Sequence, residues 1–257
     1  MLEIEPTKRF SSRVGYYVRS RPSYPDGILR ILEQDCDFSP SSVVADIGSG
    51  TGIFTRLLAA EGNRVFGVEP NREMRRAAEE YLAEYANFLS VDGTAEATTL
   101  PSHSVDLVTC AQAAHWFGRD HAVREFRRIL KPNGFLLLVW NDRRIEGSSF
   151  GSEYEELVSE FGIDYDQVSE RGRASAGGNF FGRHPWVERK LSNYQDLDYP
   201  VLEERLLSSS YVPQLGDERC PPMLAKLRQI FERYQQAGRI RMEYDTKLYV
   251  GQLGTAD

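Results

Sequence analysis

Between residues 46 and 52 the chain reads Asp46-Ile47-Gly48-Ser49-Gly50-Thr51-Gly52, an aspartate followed by glycine at every second position. That spacing lets a backbone turn tightly and bring a ligand against its N–H groups where a helix begins, an electrostatically favourable place for a carboxylate or phosphate. The third glycine of the dinucleotide fingerprint would fall at position 53, which holds Ile53, so a nicotinamide or flavin cofactor fits this loop less well. Glu69 follows at the end of the next apolar run, where a carboxylate can accept two hydrogen bonds from a ribose diol. Further along, His115 stands just beyond a fourth apolar run, in the zone where ligands gather in open α/β sheets, and is the candidate general base. The competing reading is that His115 and Trp116 together wall the pocket.

The elements that must position these residues are legible as alternating short β-rich runs and longer amphipathic stretches, the pattern of stacked βαβ units. Val43 to Ile47 is the first strand, and Ile53, Leu57 and Leu58 follow at helical spacing. Arg64 to Val68 is the second; Pro70 interrupts it and Asn71 can cap a helix from Arg72 to Tyr85. Asn87 to Val91, Val105 to Cys110 and Phe135 to Trp140 complete five parallel strands, the last apolar throughout as expected of a strand buried on both faces. Lys131-Pro132-Asn133-Gly134 stops the helix before the fifth strand. The expected fold is thus α/β and doubly wound.

One domain is expected, in four parts: an N-terminal cap (1–36), a ligand-binding core (40–145), an insertion (146–185) and C-terminal strands and helices (186–257). The insertion carries seven glycines around two polar helical pieces and reads as a segment with mobile joints that sets ligand choice. After it come a strand from Trp186 to Tyr199, helices from about Leu202 to Ser208 and Asp217 to Gln236, and a strand from Arg239 to Leu253.

In a chain of 257 residues, 31 Lys and Arg against 38 Asp and Glu leave a net charge of −7, which argues against a nonspecific nucleic-acid binder because release of counterions from phosphates needs clustered cations. Cys36, Cys110 and Cys220 are odd in number and far apart, so neither a disulfide framework nor a Cys-x-x-Cys metal site is expected. With no secretory pattern at Met1 to Pro6 and no apolar run approaching ~20 residues, a cytoplasmic protein without a membrane span is expected.

Taken together, residues 40–140 resemble the class I S-adenosylmethionine-dependent methyltransferases, in particular the small-molecule branch that includes ubiquinone-biosynthesis and trans-aconitate methyltransferases. Asp46 to Gly52 look like the first family motif, Glu69 like the ribose-binding acid, and Asp92-Gly93-Thr94-Ala95-Glu96 like the loop that touches adenine. Val105 to Val108 with Ala111 to Phe117, and Arg127 to Gly134, also match, as does Arg21-Pro22-Ser23-Tyr24-Pro25 in the cap. The resemblance implies a Rossmann-like sheet of seven strands, the last antiparallel, with an N-terminal helical cap and a helical insertion after the fifth strand. It implies that Gly48, Ser49, Gly50 and Gly52 lie by the methionine part of the cofactor and that Asp46 anchors its ammonium. Pro70, Asn71 and Met74 would flank the adenosine, with core gap-filling as the other reading of Met74. Ala111, Gln112, Ala113 and Trp116 would complete the pocket, and Tyr16, Tyr17 and Arg21 would close over it, Arg21 binding the methionine carboxylate.

Methyl transfer from a sulfonium is an in-line displacement, so the protein chiefly orients and desolvates, and a base is needed only if the acceptor does not arrive ionised. Asn141-Asp142 is similar to part of the metal site of catechol-type methyltransferases, but Cys110-Ala111 replaces the aspartate expected after the fourth strand, so no metal is expected. Arg143 and Arg144 can pair with an acceptor carboxylate or belong to a solvated loop. The acidic balance and the lack of an Asn-Pro-Pro-Tyr or Asp-Pro-Pro-Tyr sequence disfavour a nucleic-acid substrate. The alternative from another class is an S-adenosylmethionine-binding protein without turnover.

Overall fold

The computed structural model describes residues 20–163, 165 and 178–254. In chain order the elements are α1 (Gly27–Cys36), β1 (Val43–Ile47), α2 (Ile53–Ala60), β2 (Arg64–Val68), α3 (Arg72–Tyr81) and β3 (Phe88–Val91). Then come β4 (Val105–Ala111), a 3-10 turn (Ala114–Trp116), α4 (Arg119–Ile129), β5 (Leu130–Arg143) and α5 (Ser149–Phe161). A single helical turn (Gly178–Phe181) precedes β6 (Trp186–Leu197), α6 (Tyr199–Leu207), α7 (Cys220–Tyr234) and β7 (Ile240–Gly251).

The seven strands form one sheet in the order β3-β2-β1-β4-β5-β7-β6. β1 to β5 are mutually parallel, and β7 runs antiparallel to both β5 and β6, as expected from the sequence. Two apolar layers sandwich the parallel part. On one face Phe126 and Ile129 of α4 pack with Val108, Leu136 and Leu138; on the other Ile28 and Leu32 of α1 and Phe54 and Leu58 of α2 pack with Val44, Leu137 and Val139. Alternation along β5 sends Leu136 and Leu138 one way and Leu137 and Val139 the other, which is why this strand is apolar at every position.

Of the boundaries that differ from the sequence reading, three have a clear local cause. α3 stops at Tyr81 rather than Tyr85, because Leu82 takes a non-helical conformation (φ −105°) as the C-cap and is buried. β5 begins at Leu130, whose pairing with Val105 carries the ladder across a register shift before Leu107 meets Phe135. α7 starts at Cys220, where Pro221 and Pro222 occupy the first turn and lack N–H groups that would have had no intrahelical acceptor.

A third apolar cluster lies beyond the sheet's two layers. Phe150, Tyr154 and Leu157 of α5 pack with Leu202 and Leu206 of α6, Met223 and Leu227 of α7, and Met242 and Tyr244 of β7. α5, read from sequence as part of a separate insertion, therefore shares a core with the C-terminal helices. Among the described residues no helix is long and apolar enough to cross a membrane.

Candidate functional site

Strand order reverses between β1 and β4, and at such a switch point the loops leaving the two strands diverge and open a crevice. A cleft enclosing about 1070 Å³ lies there, counting open solvent at its mouth. It is lined by Asp46 and Gly48 to Thr51 after β1, by Glu69, Pro70 and Asn71 after β2, and by Ala111 to Ala113 after β4. Ile53, Phe54, Met74, Trp116 and Phe117 supply apolar wall, and Arg21, Pro22 and Tyr24 come from the segment before α1.

The glycine loop is built differently from its expected use. The N–H groups of Gly48 and Ser49 donate to the Val68 carbonyl (2.8 and 3.2 Å), that of Gly50 to Glu69 Oε2 (3.1 Å), and that of Gly52 to the Ser49 carbonyl (2.9 Å). The loop thus folds back onto the end of β2 rather than aiming its glycine amides at a ligand. Its turns need glycine for this: Gly48 has φ +69° and a Cβ there would sit 2.6 Å from Ala113 Cβ. Gly50, at φ +56°, has nothing within 4 Å of where a Cβ would project. Thr51 is the loop's remaining donor. Its N–H has no acceptor among the described residues, and its hydroxyl is buried and equally without a partner. Thr51 was not singled out by sequence because threonine in a glycine turn carries no signal of its own.

Glu69 is held on both oxygens, Oε2 by Gly50 N–H and Oε1 by Asn71 N–H at 2.9 Å. Burial raises its pKa above the ordinary carboxylate range, against the lowering effect of those amides and of Arg75. Asn71 also caps α3 by accepting from Met74 N–H at 3.0 Å, as the sequence predicts. Asp46 is almost wholly buried, with Oδ2 accepting from Thr55 Oγ1 (2.6 Å) and Oδ1 from Thr109 Oγ1 (2.8 Å). Burial outweighs both hydroxyls and pushes its pKa up to about 6. Gln112 ends β4 in the left-handed region (φ +55°), a conformation that costs a non-glycine residue about 1–2 kcal/mol; its amide Nε2 donates to the Asn141 carbonyl at 3.1 Å.

Other sequence-nominated residues lie beside the cleft rather than in its lining. Gly52 backs onto α3, where a Cβ would meet Leu82 Cδ1 at 2.7 Å. In the 92–96 loop, Asp92 pairs with Arg75 (2.8 Å), whose guanidinium also donates to the Glu69 carbonyl (2.7 Å). Thr94 bridges to Ala97, Glu96 accepts from Gly118 N–H (2.7 Å), Ala95 is buried, and a Cβ on Gly93 would lie 2.9 Å from the Thr98 carbonyl. His115 is absent from the lining; its ring packs against Trp116 with centroids 4.8 Å apart, the wall arrangement rather than that of a base aimed at the cleft. Tyr16 and Tyr17 lie outside the described residues. Asp142 pairs with Lys247 (2.9 Å), and among the described residues no group of three or more His, Cys, Asp and Glu is arranged to hold a metal ion.

The cap is stitched across the C-terminal ends of the later strands. Ser23 O accepts from Asn141 Nδ2 (3.3 Å) and Asn193 Nδ2 (2.8 Å), Ser20 O from Gln195 Nε2 (3.1 Å), and Arg21 donates to Ser208 O (2.9 Å). Tyr24 packs edge-on against Phe54 at 4.9 Å. Asn141 and Arg205 complete the lining on this side. The sequence singles out Asn141 only for a likeness to part of a metal site, and Arg205 not at all.

A seven-stranded doubly wound sheet with a glycine turn, a following acidic residue and a cleft at the switch point is the architecture of doubly wound α/β proteins, which bind ligands at this place in the fold. The chain belongs to the methyltransferase family: a methyltransferase-domain profile matches residues 45–138, and a full-length relative carries the assignment over the rest. That relative is an uncharacterized methyltransferase-like protein of Schizosaccharomyces pombe, 30% identical over 254 residues and covering 97% of each chain. An uncharacterized methyltransferase of Mycobacterium tuberculosis is 38% identical over 162 residues, 63% of this chain and 62% of its own. Among solved structures, a candidate type II methyltransferase from Anaeromyxobacter dehalogenans superposes with a TM-score of 0.67 at 22% identity, covering 92% of this chain and 99% of its own.

Proposed function

We propose that this chain binds S-adenosylmethionine in the switch-point cleft and transfers its methyl group to a small-molecule acceptor without a metal. The observation that carries the reading is Glu69, a carboxylate fixed on two backbone amides at the end of β2, with lone pairs left for a ribose diol. The open space over Gly50 and the unpartnered buried Thr51 hydroxyl fit a polar ligand seated on the loop. Ile53 at the fingerprint's third glycine position favours this cofactor over a dinucleotide.

When bound, the cofactor supplies a sulfonium methyl with a neutral thioether as leaving group. The chain's residues do the rest by position. Asp46 presents a buried negative charge toward the cofactor's ammonium, Met74 and Asn71 flank the adenosine, and Trp116, Phe117 and Tyr24 exclude water from the transferring carbon. His115 is assigned to packing against the wall residue Trp116 and not to proton removal.

Calorimetric titration with S-adenosylmethionine, S-adenosylhomocysteine and NAD tests the cofactor directly: the adenosyl ligands are expected to bind and NAD to bind far more weakly or not at all. Preference for NAD would end the proposal, and tight cofactor binding with no methyl transfer to any small-molecule extract would favour the silent binding protein. Arg21→Ala should weaken the cofactor severalfold while leaving the protein folded, because a guanidinium pairs with the cofactor's carboxylate through charge-assisted hydrogen bonds that alanine cannot make. An unaltered dissociation constant would remove Arg21 from the methionine end.

A further inference from the structure

Beyond β4 the cleft ends on a buried cation. Arg205 of α6 lines the cleft with only 4% of its surface exposed, yet among the described residues its Nε has no partner and its guanidinium makes only a long contact from Nη1 to Ser209 Oγ (3.4 Å). Among the described residues no carboxylate pairs with it. A guanidinium taken out of water without a counter-charge costs several kcal/mol, so a site of this kind is stable only where something else holds it or a ligand completes it.

Its surroundings are built for a negative partner. Arg143, at the end of β5, already has its own counter-ion: it donates to Glu155 (2.8 Å), and to the hydroxyls of Tyr165 (3.2 Å) and Tyr211 (3.1 Å). The Tyr154 hydroxyl beside these cations is buried and lacks a partner. Although burial raises the Tyr211 phenol, Arg143, Arg205 and Arg21, with a Ser209 hydrogen bond, outweigh it and bring its pKa down to about 7. The field at this end of the cleft is therefore positive, even though the chain as a whole is negative.

Position separates this cation from the ribose end of the cofactor's share of the cleft. Glu69 ends β2 and Asn141 belongs to β5, three strands away in the sheet order, roughly 14 Å at the usual inter-strand spacing. Arg205 lies on the β5 side, near Arg143 and Tyr244. We propose that Arg205 is the acceptor-binding residue and that the acceptor is a small organic acid, whose carboxylate pairs with this guanidinium while the rest of the molecule extends over Asn141 and Tyr24 toward the transferring methyl. One guanidinium with no carboxylate partner among the described residues matches the single charge of a carboxylate better than the dianion of a phosphomonoester. The assignment rests on the cofactor reading above.

The test uses Arg205→Met, which removes a buried charge at nearly constant volume and should leave the protein as stable as before or more so, with Arg205→Lys as a second variant. Calorimetry with S-adenosylhomocysteine comes first, on all three proteins. Succinate, benzoate, their amides and methyl phosphate are then titrated into the proteins saturated with S-adenosylhomocysteine. The expected result is a cofactor constant within twofold across the variants, binding of at least one acid but not of its amide, and tenfold or greater loss of that binding in Arg205→Met with partial retention in Arg205→Lys. Acid binding should also raise the Tyr211 phenol, read as loss of tyrosinate ultraviolet absorbance near neutral pH and absent in Tyr211→Phe. Equal weakening of the cofactor by Arg205→Met would assign the guanidinium to the cofactor's own carboxylate and overturn the proposal. So would indifference to every acid, equal binding of acids and amides, or preference for methyl phosphate. Failure of the wild type to bind S-adenosylhomocysteine would instead overturn the underlying cofactor reading, and with it this assignment.

Discussion

Glu69→Ala should weaken S-adenosylmethionine binding about 100-fold, a loss of roughly 3 kcal/mol. Two effects combine. A carboxylate accepting from both hydroxyls of a ribose makes charge-assisted hydrogen bonds, each worth about 1.5–3 kcal/mol. The same side chain also holds Gly50 N–H and Asn71 N–H, so its removal frees the glycine loop from the end of β2 and leaves two amides to find water. Glu69→Gln separates the contributions: the amide keeps one acceptor but presents a donor to the amide that faced the lost oxygen, and an intermediate loss of about tenfold is expected. Neither variant should lower stability much, because burial already raises the Glu69 pKa and a neutral side chain escapes that penalty. Calorimetry alongside thermal unfolding decides the matter, and wild-type affinity in Glu69→Ala would refute the ribose assignment.

Asp46→Asn should do two opposite things. Burial pushes the Asp46 pKa up to about 6, so the folded protein holds this proton more tightly than the unfolded chain, where the ordinary value is about 3.9. Its protonation therefore contributes stability that is complete below about pH 4 and lost as pH rises through about 6. Asparagine does not ionise, and above pH 6 the variant is expected to be more stable than wild type, by at most ~2–3 kcal/mol for a shift of this size. Cofactor affinity should move the other way: the ammonium loses its counter-charge, and binding at neutral pH should fall tenfold or more. In the wild type the affinity should itself decline as pH drops below about 6, where Asp46 takes up its proton, and that acid limb should flatten in the variant. Denaturant unfolding and calorimetry at pH values on either side of 6 report both effects; an Asp46→Asn protein that binds normally would place the ammonium elsewhere.

The two carboxylates differ in how they were found. Glu69 was visible because it ends a β-rich run and precedes Pro70 and the Asn71 cap, all signals acting within a few residues. What the spacing did not convey was the direction of the glycine amides, which turn toward the Val68 carbonyl and Glu69 instead of the ligand, so that Thr51 is left as the donor. Asp46 lines the cleft, but its hydrogen bonds come from Thr55 in the first turn of α2 and Thr109 on the neighbouring β4, partners no local pattern identifies.

Strand and helix order and the parallel run of five strands were determined by the sequence alone, because period-two and period-3.6 apolar patterns and glycine, proline and asparagine turn chemistry are local in origin. The tertiary structure decided which distant segments meet. α5 joins α6 and α7 in one apolar cluster, Asn141 from β5 and Arg205 from α6 reach the same cleft, and His115 packs on Trp116 outside the lining. Apolar faces declare that they must be buried without declaring against what. Pairing them is a property of the whole packed chain, and the charge left uncompensated at Arg205 exists only once that packing is complete.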